Sequence, residues 1–262
     1  NNFIVKGLNF NVTGMYSKRH QVVNDTVKWN YNWFGEHVLD LDGNPILSNT
    51  GAQQGAATIN HSRRKVYTLR GNLSYDIHDN HRIVFNHLYY SFDRNDNDDM
   101  KSILERSFVE DRSLTKNISG LAYEMKAFQN KLKTNLFSKY YQQELEKIKP
   151  TIKNINGVNT KVFETFNNKY DYLGYGLATS YLMKSSITLL GSYEKAIRLP
   201  VENEIFGDVG ENIVENNSLQ AEVSDNFNVG FKVGPYQINK HKVSLGANGF
   251  LRDTKDRIVR KS

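Results

Sequence analysis

Alternation of apolar and polar residues with a period of two constrains this chain more than any other feature. The pattern recurs about ten times along the 262 residues. Leu69 and Leu73, for example, alternate with Arg70 and Asn72. A period of two places the two kinds of side chain on opposite faces of a β-strand, and a helical period never fits these windows better. The sequence therefore predicts an all-β fold.

The connections between the predicted strands alternate in length. The strands are predicted at residues 8–16, 27–34, 66–77, 83–92, 119–127, 132–141, 172–183, 187–198, 223–233 and 243–251. Short links near residues 17–21, 78–81, 129–130, 184–186 and 235–241 alternate with long polar ones at 35–60, 93–115, 147–168 and 199–221. Outer-membrane barrels have tight periplasmic turns and long extracellular loops, whereas a soluble sheet has no need of this alternation. We therefore predict an antiparallel transmembrane β-barrel whose four long connections lie outside the cell.

Composition excludes several classes of function. Hydrophobic residues make up 39% of the chain, the mean hydropathy is −0.60, and no apolar run approaches the roughly 18–20 residues of a membrane-spanning helix. A test for long apolar runs does not detect the wall of a β-barrel, because its lipid-facing and lumen-facing residues alternate. The absence of cysteine excludes a disulfide, a thiolate nucleophile and a cysteine-ligated zinc site. The net charge of +6 is spread along the chain without a basic block, so no nucleic-acid partner is expected.

One stretch carries a specific motif. Residues 194–207 read Glu-Lys-Ala-Ile-Arg-Leu-Pro-Val-Glu-Asn-Glu-Ile-Phe-Gly, and residues 217–230 read Asn-Ser-Leu-Gln-Ala-Glu-Val-Ser-Asp-Asn-Phe-Asn-Val-Gly. Together they resemble the signature of TonB-dependent outer-membrane receptors, R-L-P-x-x-x-E-x-F-G followed by N-x-x-L-x-x-E-x-S-x-N-x-x-x-G. Ser218 and Ala221 stand where the loops of this family usually carry proline.

The resemblance implies a fold larger than this chain. Receptors of this family have a barrel of about 22 strands filled by an N-terminal plug domain, which carries the segment that binds TonB. Nothing in residues 1–262 resembles the plug. Residues 1–262 are therefore expected to form part of the receptor β-barrel domain, about ten of its strands, without the plug and the terminal strands.

The resemblance also implies a transport function without covalent chemistry and without a cofactor. It implies a multi-pass protein of a Gram-negative outer membrane that takes up a scarce nutrient, such as a ferric siderophore, haem, cobalamin or a glycan. Its expected partners are the TonB complex, reached through the plug, the extracellular nutrient and the outer-membrane lipids, with a surface lipoprotein as a further candidate. The main alternative is an outer-membrane binding or adhesion barrel without a plug; an outer-membrane enzyme and a soluble sugar-binding domain are further alternatives.

Strand parity predicts which signature residues share a face. If Leu189 and Tyr193 face lipid, Arg198 points into the lumen, and the same reasoning on the next strand turns Glu222, Ser224 and Asn226 inward. Arg198 and Glu222 would then flank one loop on one face and form an ion pair. Such residues support the barrel or its plug, and the ligand contacts are expected in the four long connections without a preferred residue.

Two further clusters suggest binding. Asp93, Asn95, Asn97 and Asp99 offer oxygen ligands at alternate positions, as calcium loops do. The run has Asp98 where an EF-hand requires glycine and Leu104 where it requires glutamate, which excludes an EF-hand. A solvated acidic loop is the expected interpretation and a looser calcium site the alternative.

The second cluster consists of three aromatic residues with a period of two, Trp29, Tyr31 and Trp33. An interfacial girdle and a sugar-stacking surface are its alternative interpretations.

Overall fold

Nine strands form one sheet in the part of the chain that a computed structural model describes, residues 6–25, 58–98, 110–184, 186–207 and 216–259. They are β1 (Leu8–Asp25), β2 (Thr58–His78), β3 (His81–Asp98), β4 (Glu110–Ala127), β5 (Leu132–Ile155), β6 (Val158–Lys184), β7 (Ile187–Arg198), β8 (Glu222–Ile238) and β9 (His241–Lys255), with the short helix α1 (Glu202–Phe206) between β7 and β8. Each strand pairs antiparallel with its neighbour in chain order. The predicted all-β antiparallel fold is confirmed.

The first strand runs past the turn predicted at residues 17–21, and that prediction is wrong. Pairing with β2 continues without a break from Ser17 opposite Val66 to Asp25 opposite Thr58. Residues 17–25 contain neither glycine nor proline, so their polar side chains change the sheet surface without interrupting the backbone ladder. The strand predicted at 27–34, with its three aromatic residues, lies outside the described residues.

The long loop predicted at residues 147–168 is also wrong, because β5 and β6 continue through it. Only Asn156 and Gly157 connect the two strands, with φ of 54° and 83°. Asn-Gly suits the two-residue hairpin turn in which both central residues adopt positive φ. β3 and β4 also extend beyond their predicted ends. Because β3 reaches Asp98 and β4 begins at Glu110, the connection predicted at 93–115 is shorter than expected.

The two faces of the sheet differ in chemistry. One, the apolar face, exposes large hydrophobic side chains on every strand, including Phe10, Leu73, Phe85, Leu121, Leu136, Leu177, Leu189, Phe227 and Leu251. The register keeps them in line across neighbouring strands, as for Leu73, Phe85 and Leu121. The opposite, polar face holds the buried residues. Within the described ranges, no helix is long and apolar enough to cross a membrane.

The hydrophobic core is small and lies on the polar face. Phe92, Leu114 and Leu145 occupy directly paired positions on β3, β4 and β5. Ile205 and Phe206 of α1 cover them. These five residues, the inner cluster, bury their side chains although most of the sheet's apolar surface stays exposed. The chain therefore folds back from the end of β7 to cover one region of the polar face.

Candidate functional site

The segment that leaves β7, residues 199–207, lies against the polar face and is called the clasp below. Its apolar anchor is Phe206, only 3% exposed, whose ring stacks on Phe92 at a centroid distance of 6.1 Å. Ile205, 1% exposed, packs in the same cluster. In a strand two consecutive side chains would point to opposite faces, so the helical turn of α1 is what brings both into one cluster.

Polar contacts hold the two ends of the clasp. Lys116 Nζ donates a hydrogen bond to the Pro200 carbonyl at 2.6 Å. At the other end, Arg94 Nη1 donates to the Gly207 carbonyl at 3.1 Å. Gly207 has φ of 71°, a conformation that favours glycine. The clasp is thus tied to β3 and β4, more than 80 residues earlier in the chain.

The signature residues form a ring of contacts around the start of the clasp. Arg198 donates a hydrogen bond to Glu204, and its Nη1 lies 3.6 Å from Glu222 Oε1. Glu204 also accepts the Val201 N–H at 2.9 Å, which closes the first turn of α1. Glu222 Oε1 accepts the backbone N–H of Ile258 at 2.6 Å. The predicted proximity of Arg198 and Glu222 is thus observed, and Glu204 is a partner that parity could not identify.

The other two predicted residues lie on the same face. Ser224 is buried, and its Oγ accepts a hydrogen bond from Asn226 Nδ2 at 3.2 Å. The same amide lies 3.4 Å from the carbonyl of Glu194 on β7. Sequence parity identifies this face because β8 is regular over these positions. The second contact ties β8 to β7 on the face that carries Arg198 and Glu222.

A buried charged cluster beneath the clasp was missed by sequence analysis. Asp96 Oδ2 lies 2.7 Å from Arg94 Nε and also contacts Arg112. The register aligns Arg64, Arg94, Arg112 and Lys147 in one row across four strands. Each strand contributes one basic residue to this row, so four separate strands had to be aligned before the row could be recognised.

The acidic run on β3 is a strand and not a loop, as far as it is described. Asp93, Asn95 and Asn97 alternate with Arg94 and Asp96 along β3, so the proposed oxygen ligands and the buried charged cluster lie on opposite faces. The fourth candidate, Asp99, lies outside the described residues. Among the side chains that are described, no three His, Asp or Glu residues are grouped to hold a metal ion.

The return from the clasp to β8 is also attached to the polar face. The backbone N–H of Asn216 donates to the Ile205 carbonyl at 2.8 Å. On β6, Asn168 Nδ2 donates to the Asn217 carbonyl at 3.3 Å, and the Tyr172 hydroxyl accepts the Ala221 N–H at 3.2 Å. Both described ends of the predicted external loop 199–221 therefore turn over the sheet. A cavity of about 310 Å³ stays open elsewhere on this face, between residues of β1 to β5 that include Arg70, Asn86 and Lys139.

Comparison with known proteins agrees with the sequence motif. Residues 139–262 match the family model described as TonB dependent receptor-like, beta-barrel. The solved structure of the copper transporter OprC aligns over 94% of this chain and 35% of its own length, with a TM-score of 0.57 and 10% identity. At that identity the likeness shows a shared fold.

Two further solved structures align less closely. The Serratia marcescens hemophore receptor HasR, a double mutant in complex with its hemophore HasA and heme, covers 75% of this chain and 34% of its own, with a TM-score of 0.47 and 17% identity. The siderophore receptor PiuA of Acinetobacter baumannii covers 93% and 47%, with a TM-score of 0.43 and 12% identity. The chain thus spans between 34% and 47% of the length of these three structures. Curated protein sequences gave no match.

Proposed function

Because residues 139–262 match the TonB-dependent receptor-like β-barrel family model, we propose that this chain is part of the barrel of an outer-membrane receptor that imports a scarce nutrient. The observation that carries the proposal is the continuous exposed apolar face of a sheet whose opposite face is polar and partly covered. Water would penalise so much exposed apolar surface, whereas the hydrocarbon of a bilayer accepts it. Residues 1–262 then belong to one barrel domain in a multi-pass protein of a Gram-negative outer membrane.

The polar face lines the lumen in this proposal. Arg198, Glu222, Ser224 and Asn226 face the lumen beside the clasp and stabilise the barrel wall or the seat of a plug domain. The open cavity on the same face offers room for plug residues to pack. Ligand contacts fall to the connections between β1 and β2, between β3 and β4 and between β7 and β8, and to the β5–β6 hairpin that replaces the loop predicted at 147–168.

Transport itself requires energy and a gate. A plug displaced by the TonB complex would supply the gate, and a ferric siderophore, haem, cobalamin or a glycan would be the cargo. A surface lipoprotein is a further candidate partner. The contacts of the clasp are ion pairs, hydrogen bonds and apolar packing, which position a wall and perform no covalent step, so we propose a transporter that is not an enzyme.

Sidedness tests the placement of the sheet in the membrane. We expect Asn156→Cys, at the β5–β6 turn of the full-length receptor, to react with an impermeant maleimide on intact cells. Asn80→Cys and Asn130→Cys, at opposite-end turns, should react only after the outer membrane is permeabilised. Reaction of the latter two on intact cells would reverse the orientation, and equal reaction of all three would exclude the membrane assignment.

Growth under nutrient limitation tests the transport function. Disrupting the gene in its native host should abolish growth on one of four limiting nutrients: ferric siderophores, haem, cobalamin or glycans. The intact gene should restore growth, but not in cells that lack TonB. Restoration without TonB would favour the plug-less binding barrel, and unaltered growth on every nutrient would contradict nutrient import.

A further inference from the structure

A cluster of cations lies on the apolar face of β1 and β2, at the edge of its hydrophobic band. Tyr16 and Tyr67 are paired across the two strands, with ring centroids 4.7 Å apart. They end the continuous run of apolar side chains on these strands, and Val22 follows on this face only after Lys18 and His20. One step further along the same face, Lys18 lies directly opposite Lys65. The next step on that face places a further cation, Arg63, opposite His20.

Other strands end their hydrophobic band differently. The Tyr140 hydroxyl on β5 donates to Asp171 on β6 at 2.7 Å, and the Tyr193 hydroxyl on β7 donates to Asp225 on β8 at 2.7 Å. Beyond the first of these pairs, Lys169 Nζ lies 2.8 Å from Glu144 Oε1. That contact gives the charge of Lys169 a partner within the sheet. At the end of the hydrophobic band, β5, β6 and β8 therefore carry carboxylates that bind the polar groups of neighbouring strands.

The cations of β1 and β2 are not balanced in this way. None of the ion pairs formed within the described residues uses Lys18, Arg63 or Lys65. Asp93, opposite Lys65 on β3, is the carboxylate next to them on this face. All three cations are exposed. Like charges directly opposite each other on an antiparallel pair destabilise it, so this arrangement gains from an anion bound between them.

The position of the cluster indicates the kind of anion. Strand residues rise about 3.3–3.4 Å each, so Lys18 and Lys65 lie one pleat beyond the tyrosine pair and Arg63 two pleats beyond. In the proposed orientation this is the headgroup level of the outer leaflet. Lysine and arginine that flank a hydrophobic band extend their charged ends into headgroups while their stems cover apolar surface. Phosphate accepts strong charge-assisted hydrogen bonds from such groups.

We propose that Lys18, Lys65 and Arg63 form a binding site for the phosphate of a phosphorylated glycolipid in the outer leaflet, with Tyr16 and Tyr67 against its apolar part. The proposal rests on the membrane orientation given above. The site lies on the outside of the barrel and is separate from any route through its lumen. Its ligand is a structural lipid and not the cargo.

Titration of the full-length receptor in uncharged detergent tests the site. The probes are bisphosphorylated lipid A, the same lipid after enzymatic removal of its phosphates, and inorganic phosphate. We expect Lys18→Gln/Arg63→Gln/Lys65→Gln to weaken binding of the phosphorylated lipid on the order of a hundredfold, since each basic residue near an anionic surface contributes about fivefold. The control Lys169→Gln/Lys195→Gln removes two cations of the same face on β6 and β7 and should bind like the parent receptor.

Several results would overturn the proposal. These are equal binding by the triple variant, equal binding of the dephosphorylated lipid, and competition by inorganic phosphate at the concentration of the lipid, which would indicate a site for free phosphate. Heat-modifiable gel mobility reports folding. If the triple variant fails to fold, Lys65→Gln alone should weaken binding about fivefold, with Lys65→Arg restoring it. If the sidedness labelling holds and lipid binding fails, this proposal fails alone.

Discussion

The β5–β6 hairpin and the clasp differ more than their sequences suggest. Both were predicted as long external loops, at residues 147–168 and 199–221. The first is a regular two-stranded ribbon with a two-residue turn, and its Phe163 is 60% exposed. The second folds over the polar face and buries Phe206 to 3%. The two phenylalanines therefore lie in opposite environments, since Phe163 is exposed and Phe206 is buried.

The difference teaches what polar composition can and cannot indicate. The hairpin keeps a backbone ladder through a polar stretch, so its order comes from main-chain hydrogen bonds and the Asn-Gly turn. The clasp has no ladder of its own, and Pro200 at its start lacks the N–H that a continuing strand would donate. It is ordered by side-chain contacts with distant strands. Its residues should therefore contribute more to global stability than those of the hairpin.

The largest effect is expected from the two phenylalanines. Phe206→Ala should lower the free energy of unfolding by about 3–5 kcal/mol, because it removes a buried ring and leaves a cavity above Phe92. Phe163→Ala, the matched control, should stay within about 0.5 kcal/mol. Urea unfolding of the full-length receptor in detergent, followed by heat-modifiable mobility, measures both. Equal effects of the two substitutions would remove the proposed distinction between the segments.

A second contrast concerns carboxylates. Glu222, whose side chain is 10% exposed, contacts Arg198 and the Ile258 N–H, so Glu222→Ala should cost about 1–3 kcal/mol by leaving the part-buried Ile258 N–H without its acceptor. Glu164 of the hairpin, 52% exposed, pairs with Lys153 at 2.9 Å, and Glu164→Ala should cost roughly 0–1 kcal/mol. The same unfolding measurement applies. A Glu222→Ala receptor with parental stability that has lost binding of the imported nutrient at the cell surface would make Glu222 a ligand contact.

The smallest effect is expected at the hairpin turn. Gly157 has φ of 83° and nothing within 4 Å of an added Cβ, so Gly157→Ala introduces backbone strain alone, of about 1–2 kcal/mol. Hydrogen exchange should become faster at residues 151–162 and remain unaltered at the clasp. Faster exchange at both segments would show that the hairpin and the clasp unfold together.

Much of the fold follows from local pattern. Alternation identified all nine described strands and the faces that their residues share, because side-chain direction in a strand is a property of the backbone. Tight turns such as that between β2 and β3 predicted that neighbouring strands are antiparallel, because a short link can join only antiparallel neighbours. The motif at 194–207 and 217–230 indicated the family whose model residues 139–262 match. The parity of β7 and β8 placed Arg198 on the same face as Glu222.

Where the strands end, and what covers them, was decided only by the tertiary structure. Polar composition marked residues 17–21 and 147–168 as loops, yet both continue strands, since a backbone ladder satisfies its hydrogen bonds whatever the side chains are. The clasp and the Arg94–Asp96–Arg112 cluster depend on contacts such as that of Lys116 with Pro200, 84 residues apart. Such contacts leave no local period in the sequence, because they exist only after separate strands have been aligned in one sheet.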